Sequence, residues 1–312
     1  MIVGELHVLP HLPELPARGI GADLIGRAGA LLVDIGIDTV PRGYRIAQGR
    51  SSTLRRAVSL LAEDLDALEE EWEKAGLRDS GRTVKVQAPG PITLAANLEL
   101  GGGHRAITDP GALRDLAESL IEGLSVHQAA LSRRLGAPVV VQLDEPSLPA
   151  ALAGRLSGVT GMSTVHPVDE AVTAALLDDC AKRLGSVAIH VCAADVPWKL
   201  LLRTGIEAIS MDASTLVPAD LDGIGEWVES GRTALLGVAP AIDPARPLQV
   251  REVAKAAAAI TDRLGFSRTI LRERVGLTPS CGLAGATPEW ARTVVELVQR
   301  AVDGIAEDPD SV

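Results

Sequence analysis

Short apolar runs alternate with longer amphipathic segments over most of the chain. The strand-like runs lie at 84–88, 139–143, 159–164, 187–191, 207–211, 234–238 and 274–278. Apolar residues at helical spacing mark segments at 54–74, 111–135, 169–184, 195–204, 218–230, 247–264 and 288–303. Buried strands that alternate with amphipathic helices are typical of βαβ units, so the pattern predicts an α/β fold built on a parallel sheet.

The number of predicted strands bears on the choice between two parallel architectures. Seven strands are one short of the eight in a (β/α)8 TIM-type barrel, so we predict such a barrel with its first strand missing. A doubly wound open sheet is the alternative, and it usually carries a glycine-rich turn between its first strand and helix. The glycine cluster Gly101-Gly102-Gly103 does not directly follow a strand and open a helix, which favours the barrel.

The first 50 residues lack this periodicity. Prolines at 10, 13, 16 and 41 interrupt the segment, so no long helix fits there, although residues 21–34 fit a short one. No linker-like stretch follows this segment. We therefore expect a single domain in which an irregular N-terminal segment, 1–50, packs on a barrel formed by residues 51–312.

Composition and charge exclude several classes of protein. The chain has 312 residues, 46% of them apolar, and its formal net charge of −11 disfavours binding to nucleic acid or to an anionic membrane. No run approaches the roughly 20 apolar residues of a membrane span, and the N-terminus lacks a secretory signal pattern. Three scattered cysteines are too few for a disulfide scaffold, so we predict a cytoplasmic protein whose cysteines bind metal, act in catalysis or lie buried.

Candidate metal ligands lie at the predicted C-terminal strand ends, where barrel enzymes hold their active sites. His190 and Cys192 are two residues apart on one strand, so both side chains point to the same side and can reach one ion. Cys281 follows the last predicted strand, whose end meets the same mouth of a barrel. Imidazole and thiolate suit tetrahedral zinc. The alternative is a buried cysteine beside a core histidine, with Cys281 as a small residue at a turn.

Carboxylates follow two other predicted strands. Asp212 ends the strand after His190, where it is a candidate fourth zinc ligand or a residue that orients a ligand; a capping aspartate is the alternative. Asp144 and Glu145 come directly after a buried strand, where unpaired acids are costly. They suit a cationic substrate group such as an α-ammonium, and a capping or salt-bridging pair is the alternative.

This donor set predicts the chemistry of the site. Zinc with one imidazole, two thiolates and a carboxylate carries a total charge of about −1, which suits it poorly to hydrolysis by an activated water. An electron-rich zinc can instead bind a substrate thiol, deprotonate it and leave the sulfur nucleophilic. That chemistry is alkyl transfer to sulfur, and a carboxylate that leaves when the thiol arrives keeps the shell four-coordinate.

Four motifs in residues 84–303 together resemble the C-terminal catalytic domain of cobalamin-independent methionine synthase. They are Ala88-Pro89-Gly90-Pro91-Ile92-Thr93-Leu94, Gln142-Leu143-Asp144-Glu145-Pro146, His190-Val191-Cys192 and Pro279-Ser280-Cys281-Gly282-Leu283. The resemblance implies a (β/α)8 barrel with zinc held by His190, Cys192 and Cys281. It also implies homocysteine as the thiol, with Asp144 contacting its amino group.

The chain departs from the family at several positions. Asp212 stands where the family has a longer glutamate ligand, Asn97 replaces an aromatic residue that helps to receive folate, and Ile242 replaces an expected proton-donating histidine. We expect a short form of the family that lacks the folate-binding N-terminal half. The start at Met1 resembles the middle of the helix after the family's first strand, so we expect a start codon assigned too late; an open barrel is the alternative.

These observations predict a short, zinc-dependent methyltransferase that converts homocysteine to methionine, with methyl-folate or a methyl-corrinoid protein as the donor. The predicted zinc ligands are His190, Cys192, Asp212 and Cys281. The predicted catalytic residues are Asp144 and Asp212, and the ammonium ligands are Asp144 and Glu145. Two alternatives remain: another zinc-dependent thiol alkyltransferase, of the coenzyme M or epoxide type, and a zinc-binding barrel that has lost catalysis.

Overall fold

The computed structural model describes residues 2–49, 51–159 and 162–312, and strands and helices alternate along most of this length. The strands are β1 (Gly36–Val40), β2 (Gly43–Ala47), β3 (Val84–Pro89), β4 (Leu98–Glu99), β5 (Val139–Asp144), β6 (Val187–Val191), β7 (Ala208–Asp212), β8 (Thr233–Ala239) and β9 (Val275–Pro279). The helices are α1 (Ile2–Glu5), α2 (Leu24–Ala28), α3 (Ser52–Lys74), α4 (Pro91–Asn97), α5 (Pro110–Leu135), α6 (Leu148–Leu152), α7 (Glu170–Leu184), α8 (Trp198–Leu201), α9 (Pro218–Glu229), α10 (Val250–Arg263), α11 (Ile270–Glu273) and α12 (Pro288–Glu307). No described helix is both long and apolar enough to cross a membrane.

Six strands form one parallel sheet in the order β3-β5-β6-β7-β8-β9. Each strand pairs with the next strand of the sheet along the chain, whereas a doubly wound sheet reverses its order at one point. The observed order is that of a (β/α) barrel, which confirms the predicted fold class. Because all six strands are parallel, their C-terminal ends meet at one edge, and the loops that follow them can build a common site.

The two sides of the sheet differ in polarity. In β5, Val141 and Leu143 are fully buried, while Gln142 and Asp144 between and after them keep partial exposure. The same alternation occurs in β3. Since successive strand residues point to opposite faces, the apolar positions pack beneath helices such as α5 and the polar positions line the inside of the barrel.

The N-terminal segment supplies one further position beside β3. His11 forms an isolated parallel bridge with Lys85: the Leu12 N–H donates to the Lys85 carbonyl at 2.9 Å, and the Lys85 N–H donates to the Pro10 carbonyl at 2.8 Å. Proline has no N–H to donate, so Pro10 and the neighbouring Pro13 restrict this pairing to a single bridge rather than a strand.

The predicted strand at 159–164 is wrong for the part of it that the structure describes. Thr160 and Gly161 lie outside the described residues, and Thr164 makes only an isolated antiparallel bridge to Ser157. The sheet passes directly from β5 to β6. The two apolar residues of this run, Val159 and Met162, are 39% and 99% exposed, so neither packs against the core as a strand of the sheet would.

A β-hairpin, β1 with β2, forms inside the segment for which no regular strand was predicted. Its strands pair antiparallel from Gly36 opposite Ala47 to Val40 opposite Gly43, and β2 pairs parallel with β4. The short β4 follows α4, which itself follows the C-terminal end of β3. The hairpin is therefore tied to the same edge of the barrel as the strand ends.

Candidate metal centre

Three predicted metal ligands lie together at the C-terminal edge of the parallel sheet. His190 is the fourth residue of β6, Cys192 follows β6 directly, and Cys281 lies two residues after β9. Their ligand atoms, one ring nitrogen and two sulfurs, all lie within 4.8 Å of one another. Strands β7 and β8 separate β6 from β9 in the sheet, so the curvature of the barrel brings these residues together.

The two nitrogens of the His190 ring have different surroundings. Nδ1 lies 3.1 Å from the Ser210 hydroxyl oxygen, and Ser210 is the residue paired with His190 on the neighbouring strand β7. Nε2 is buried and makes no hydrogen bond within the described residues. A buried ring nitrogen without a partner is costly, and a metal ion would satisfy it. Ser210 thus fixes the ring so that Nε2 is the free ligand atom.

The two cysteines of the cluster have opposite pKa shifts. A hydrogen bond donated by the Cys192 thiol lowers the pKa of Cys281 to about 4, and the adjacent His190 ring acts in the same direction. The same interaction with Cys281, together with burial, raises the pKa of Cys192. The lowered pKa favours a thiolate at Cys281, the form in which cysteine binds metals. A metal ion would displace the proton of Cys192.

Asp144 lies beside this cluster. It is the last residue of β5 and is paired in register with His190 on β6. The Gln142 side-chain amide donates to Asp144 Oδ1 at 2.7 Å. Burial raises the pKa of Asp144, while the positive charge of Lys85 and the ring of His190 act in the opposite direction. The structure thus places one of the two predicted ammonium ligands next to the candidate metal site.

Glu145, the other predicted ammonium ligand, faces away from the cluster and caps α4. The Ile92 N–H donates to Oε1 at 2.9 Å, and the Thr93 N–H and hydroxyl both donate to Oε2 at 2.7 Å. Its side chain is fully buried, and a Cβ on Gly90 would lie 2.2 Å from Oε1. Its carboxylate thus satisfies the first N–H groups of a helix, the capping role that was the alternative to binding substrate, and substrate binding by Glu145 stays a prediction.

Asp212, the predicted fourth ligand, is the last residue of β7 and caps the turn that follows it. Its Oδ1 accepts hydrogen bonds from the Ser214 N–H at 2.8 Å and from the Ser214 hydroxyl at 2.7 Å, so it caps the 3-10 turn Ala213–Thr215. It is not among the described residues whose ligand atoms converge within 4.8 Å. The shorter aspartate side chain and this local capping bond both act against a direct bond to the ion.

Several residues of the site were missed from the sequence. Ser210 and Gln142 contact His190 and Asp144, and both lie at positions that face the inside of the barrel. The signal was available, because each lies two residues before a predicted site residue on the same strand and so points to the same side. Of the two departures from the family, Asn97 is the last residue of α4, where its side-chain amide donates to the Thr93 carbonyl, and Ile242 lies in the loop after β8 and is 61% exposed.

The donor set fits a catalytic zinc ion. Zinc accepts imidazole nitrogen and thiolate sulfur, and catalytic zinc sites use three protein ligands and keep the fourth position for water or substrate. His190 Nε2, Cys192 and Cys281 provide such a set. Two soft sulfurs disfavour magnesium and calcium, which prefer oxygen ligands.

Comparison with known proteins gives matches in both sequence and structure. Residues 5–303 match the family model described as cobalamin-independent synthase, catalytic domain. A B12-independent methionine synthase from Shewanella sp. W3-18-1, solved in complex with selenomethionine, superimposes with a TM-score of 0.59 at 14% identity, covering 93% of this chain and 81% of that one. A putative vitamin-B12 independent methionine synthase from Listeria monocytogenes gives a TM-score of 0.47 at 16% identity, covering 73% and 64%. No curated protein sequence matches the chain.

Proposed function

The chain belongs to the catalytic-domain family of the cobalamin-independent synthases, the enzymes that methylate homocysteine to methionine, and we propose that it does so with a zinc ion bound by His190, Cys192 and Cys281. The observation that carries the zinc assignment is the buried, unpaired Nε2 of His190 beside two sulfurs. Zinc bound there would activate the thiol of homocysteine as the nucleophile that accepts the methyl group.

The protein's own residues orient the reactants. Ser210 holds the His190 ring, so that the ligand nitrogen faces the two sulfurs. Asp144 lies on the neighbouring strand β5, in register with His190, and its carboxylate accepts hydrogen bonds from the α-ammonium of homocysteine. A carboxylate fixed there would place the substrate sulfur at the open ligand position, because the ammonium and the thiol are held at two points.

Asp212 stays a prediction as the exchangeable fourth ligand. It would have to give up its hydrogen bonds from Ser214 to reach the ion. The Asp212→Asn variant separates capping of the turn from binding of zinc. Asparagine can still cap the turn, but its neutral amide is a poor zinc ligand. Unchanged zinc affinity in this variant would confine Asp212 to capping.

For the methyl donor we propose methyl-folate rather than a methyl-corrinoid protein. The cobalamin independence of the matching family supports this choice. The loops after the strand ends, together with the β1–β2 hairpin tied to them, are the surfaces available to a donor. Reduced, metal-binding cysteines also fit the expected cytoplasmic location. Turnover with methyltetrahydrofolate and none with methylcobalamin is the expected result, and the reverse would reassign the donor.

The decisive experiment is zinc X-ray absorption on the purified protein with and without homocysteine. We expect one nitrogen and two sulfur ligands from the protein, and one oxygen replaced by a third sulfur when homocysteine is added. A shell that does not change with homocysteine would contradict a thiol-activating role. The Cys281→Ser variant should lose zinc, whereas Cys180→Ala, which removes a thiol buried in α7 away from the cluster, should keep it.

A further inference from the structure

A line of polar side chains inside the barrel ends on Asp144. The Lys85 ammonium donates to the Gln142 side-chain oxygen at 3.1 Å, and the Gln142 amide nitrogen donates to Asp144 Oδ1 at 2.7 Å. Lys85 lies on β3 and the other two on β5, and the two strands pair directly. These three residues are called the Lys85 relay below.

The direction of this relay is dictated by the chemistry of its ends. An ammonium can only donate hydrogen bonds and a carboxylate can only accept them, so the amide between them must turn its oxygen to Lys85 and its nitrogen to Asp144. Replacing Lys85 by a side chain that cannot donate removes this constraint on the Gln142 amide. The orientation of the Asp144 carboxylate therefore depends on a charge placed deeper in the barrel.

The surroundings of Lys85 hold it in this position. Its ammonium also donates to the Gln87 side-chain oxygen at 3.4 Å, and the Gln87 amide donates to the Leu12 carbonyl at 2.7 Å, which ties the relay to the N-terminal segment. Complete burial lowers the pKa of Lys85, while the charges of Asp144 and next Glu14 act in the opposite direction. Glu14 is in turn paired with Arg27, whose Nε lies 3.4 Å from its Oε1. The two acidic neighbours and the two amide oxygens are therefore the groups that favour the charged form of this buried amine.

We propose that Lys85 and Gln142 are positioning residues that aim the Asp144 carboxylate at the ammonium of the substrate. The inference rests on the proposed function, in which Asp144 binds that ammonium. It adds that homocysteine is distinguished from a thiol without an amino group by a relay of three residues, of which only Asp144 touches substrate.

The test compares two ligands on the zinc-loaded protein by isothermal titration calorimetry. Homocysteine carries the α-ammonium, and 4-mercaptobutanoate is the same molecule without it. In Lys85→Met and in Gln142→Met we expect homocysteine to bind about tenfold more weakly, since a hydrogen bond to a charged group is lost, while 4-mercaptobutanoate is affected less than about twofold. Lys255→Met, an exposed lysine on α10, is the matched control and should change neither.

A structural role would give a different result. If Lys85 only stabilises the fold, both ligands lose affinity equally or neither does, and the inference is overturned. The double variant K85M/Q142M should bind homocysteine no more weakly than about the weaker single variant, because both residues act through one carboxylate; additive losses contradict the relay. Zinc content of each variant verifies the fold, and Q142M, which removes no charge, tests the relay alone if K85M does not fold.

The reference variant Asp144→Asn separates this inference from the proposed function. If it keeps the wild-type preference for homocysteine over 4-mercaptobutanoate, the substrate contact itself is wrong and the relay falls with it. If Asp144→Asn loses the preference while K85M and Q142M keep it, only the relay is refuted and the proposed function stands.

Discussion

Two polar regions at the C-terminal edge of the sheet have opposite degrees of hydrogen-bond satisfaction. In the first, the Glu145 carboxylate is fully buried and accepts three hydrogen bonds from Ile92 and Thr93. In the second, His190 Nε2 is buried and has no hydrogen-bond partner within the described residues, although two sulfurs lie close to it. A satisfied buried group stabilises the fold, whereas an unsatisfied one in a cluster of donors indicates a ligand.

A related contrast separates Asp144 and Glu145, two acids that are neighbours in sequence. Asp144 ends β5 and points into the barrel, while Glu145 points back to the N-terminus of α4. Both were predicted as substrate ligands, because a sequence shows that two acids follow a strand without showing which way each points. The following predictions test the contrast between the two regions, from the largest expected effect to the smallest.

The largest effect is expected from Cys281→Ser. Removal of a residue that supports a metal ligand typically lowers metal affinity or activity by up to about 100-fold. Loss of a ligand itself should lower the zinc affinity by more than that. Zinc content and methionine formation are the measurements. Cys180→Ala serves as the control, since Cys180 is fully buried in α7 and belongs to neither region. Full zinc and activity in Cys281→Ser would falsify the metal assignment.

Glu145→Gln should act on stability and not on metal binding. The glutamine NH2 group would face the Ile92 or Thr93 donors of α4, and a buried donor that faces another donor cannot make a hydrogen bond. The free energy of unfolding, measured in urea, should therefore fall by about 3 kcal/mol. Zinc content should stay at the wild-type level. The exposed Glu226→Gln on α9 is the control and should change the stability little. A zinc loss without destabilisation would place Glu145 in the site after all.

Gly90→Ala tests the same region sterically. A Cβ there would lie 2.2 Å from Glu145 Oε1, so either the cap or the start of α4 must shift, at a cost of about 2 kcal/mol. The matched control is Gly101→Ala, where nothing lies within 4 Å of the added Cβ. Thermal unfolding measures both variants, and equal melting temperatures would contradict the close packing of the cap.

The smallest effect concerns acid stability. Burial, and next the charge of Arg27, lowers the pKa of His127 from 6.5 to about 4, so the folded state keeps this ring neutral while the unfolded state protonates it more readily. Its contribution is therefore present above pH 6.5 and is lost as the pH falls towards 4, with about 2 kcal/mol lost between pH 7 and 4.5. The stability of His127→Gln should fall less steeply between pH 7 and 4.5. Parallel curves for both proteins would rule this out.

The fold was predictable because it depends on patterns that are local. Six of the seven predicted strands form the parallel sheet, since β-branched runs between amphipathic helices are buried wherever the βαβ order is kept. The run at 159–164 was misread because an apolar composition does not show whether a buried face exists. The hairpin at 36–47 was missed although its own pairing is local, because Pro41 was taken to interrupt the segment whereas it lies in the two-residue turn between β1 and β2.

The candidate site was predictable in part. His190, Cys192 and Cys281 were found because ligand chemistry and two-residue spacing identify them, and the structure brings them together. Asp212 and Glu145 were placed by the same reasoning, but Asp212 caps the turn that contains Ser214 and Glu145 caps α4, which lies about 50 residues away in the chain. Caps and ligands use the same side chains, so residue type alone does not distinguish the two.

By itself the sequence determined the class of fold, the edge of the sheet at which the chemistry lies, and the three donors suited to zinc. Only the tertiary structure decided which polar groups are already satisfied. The physical reason is that hydrogen-bond satisfaction depends on partners from other strands and helices: Ser210 and Gln142 orient His190 and Asp144, and Thr93 binds Glu145. That accounting separates Glu145, whose carboxylate is satisfied by α4, from Asp144, the carboxylate for which a substrate contact is proposed.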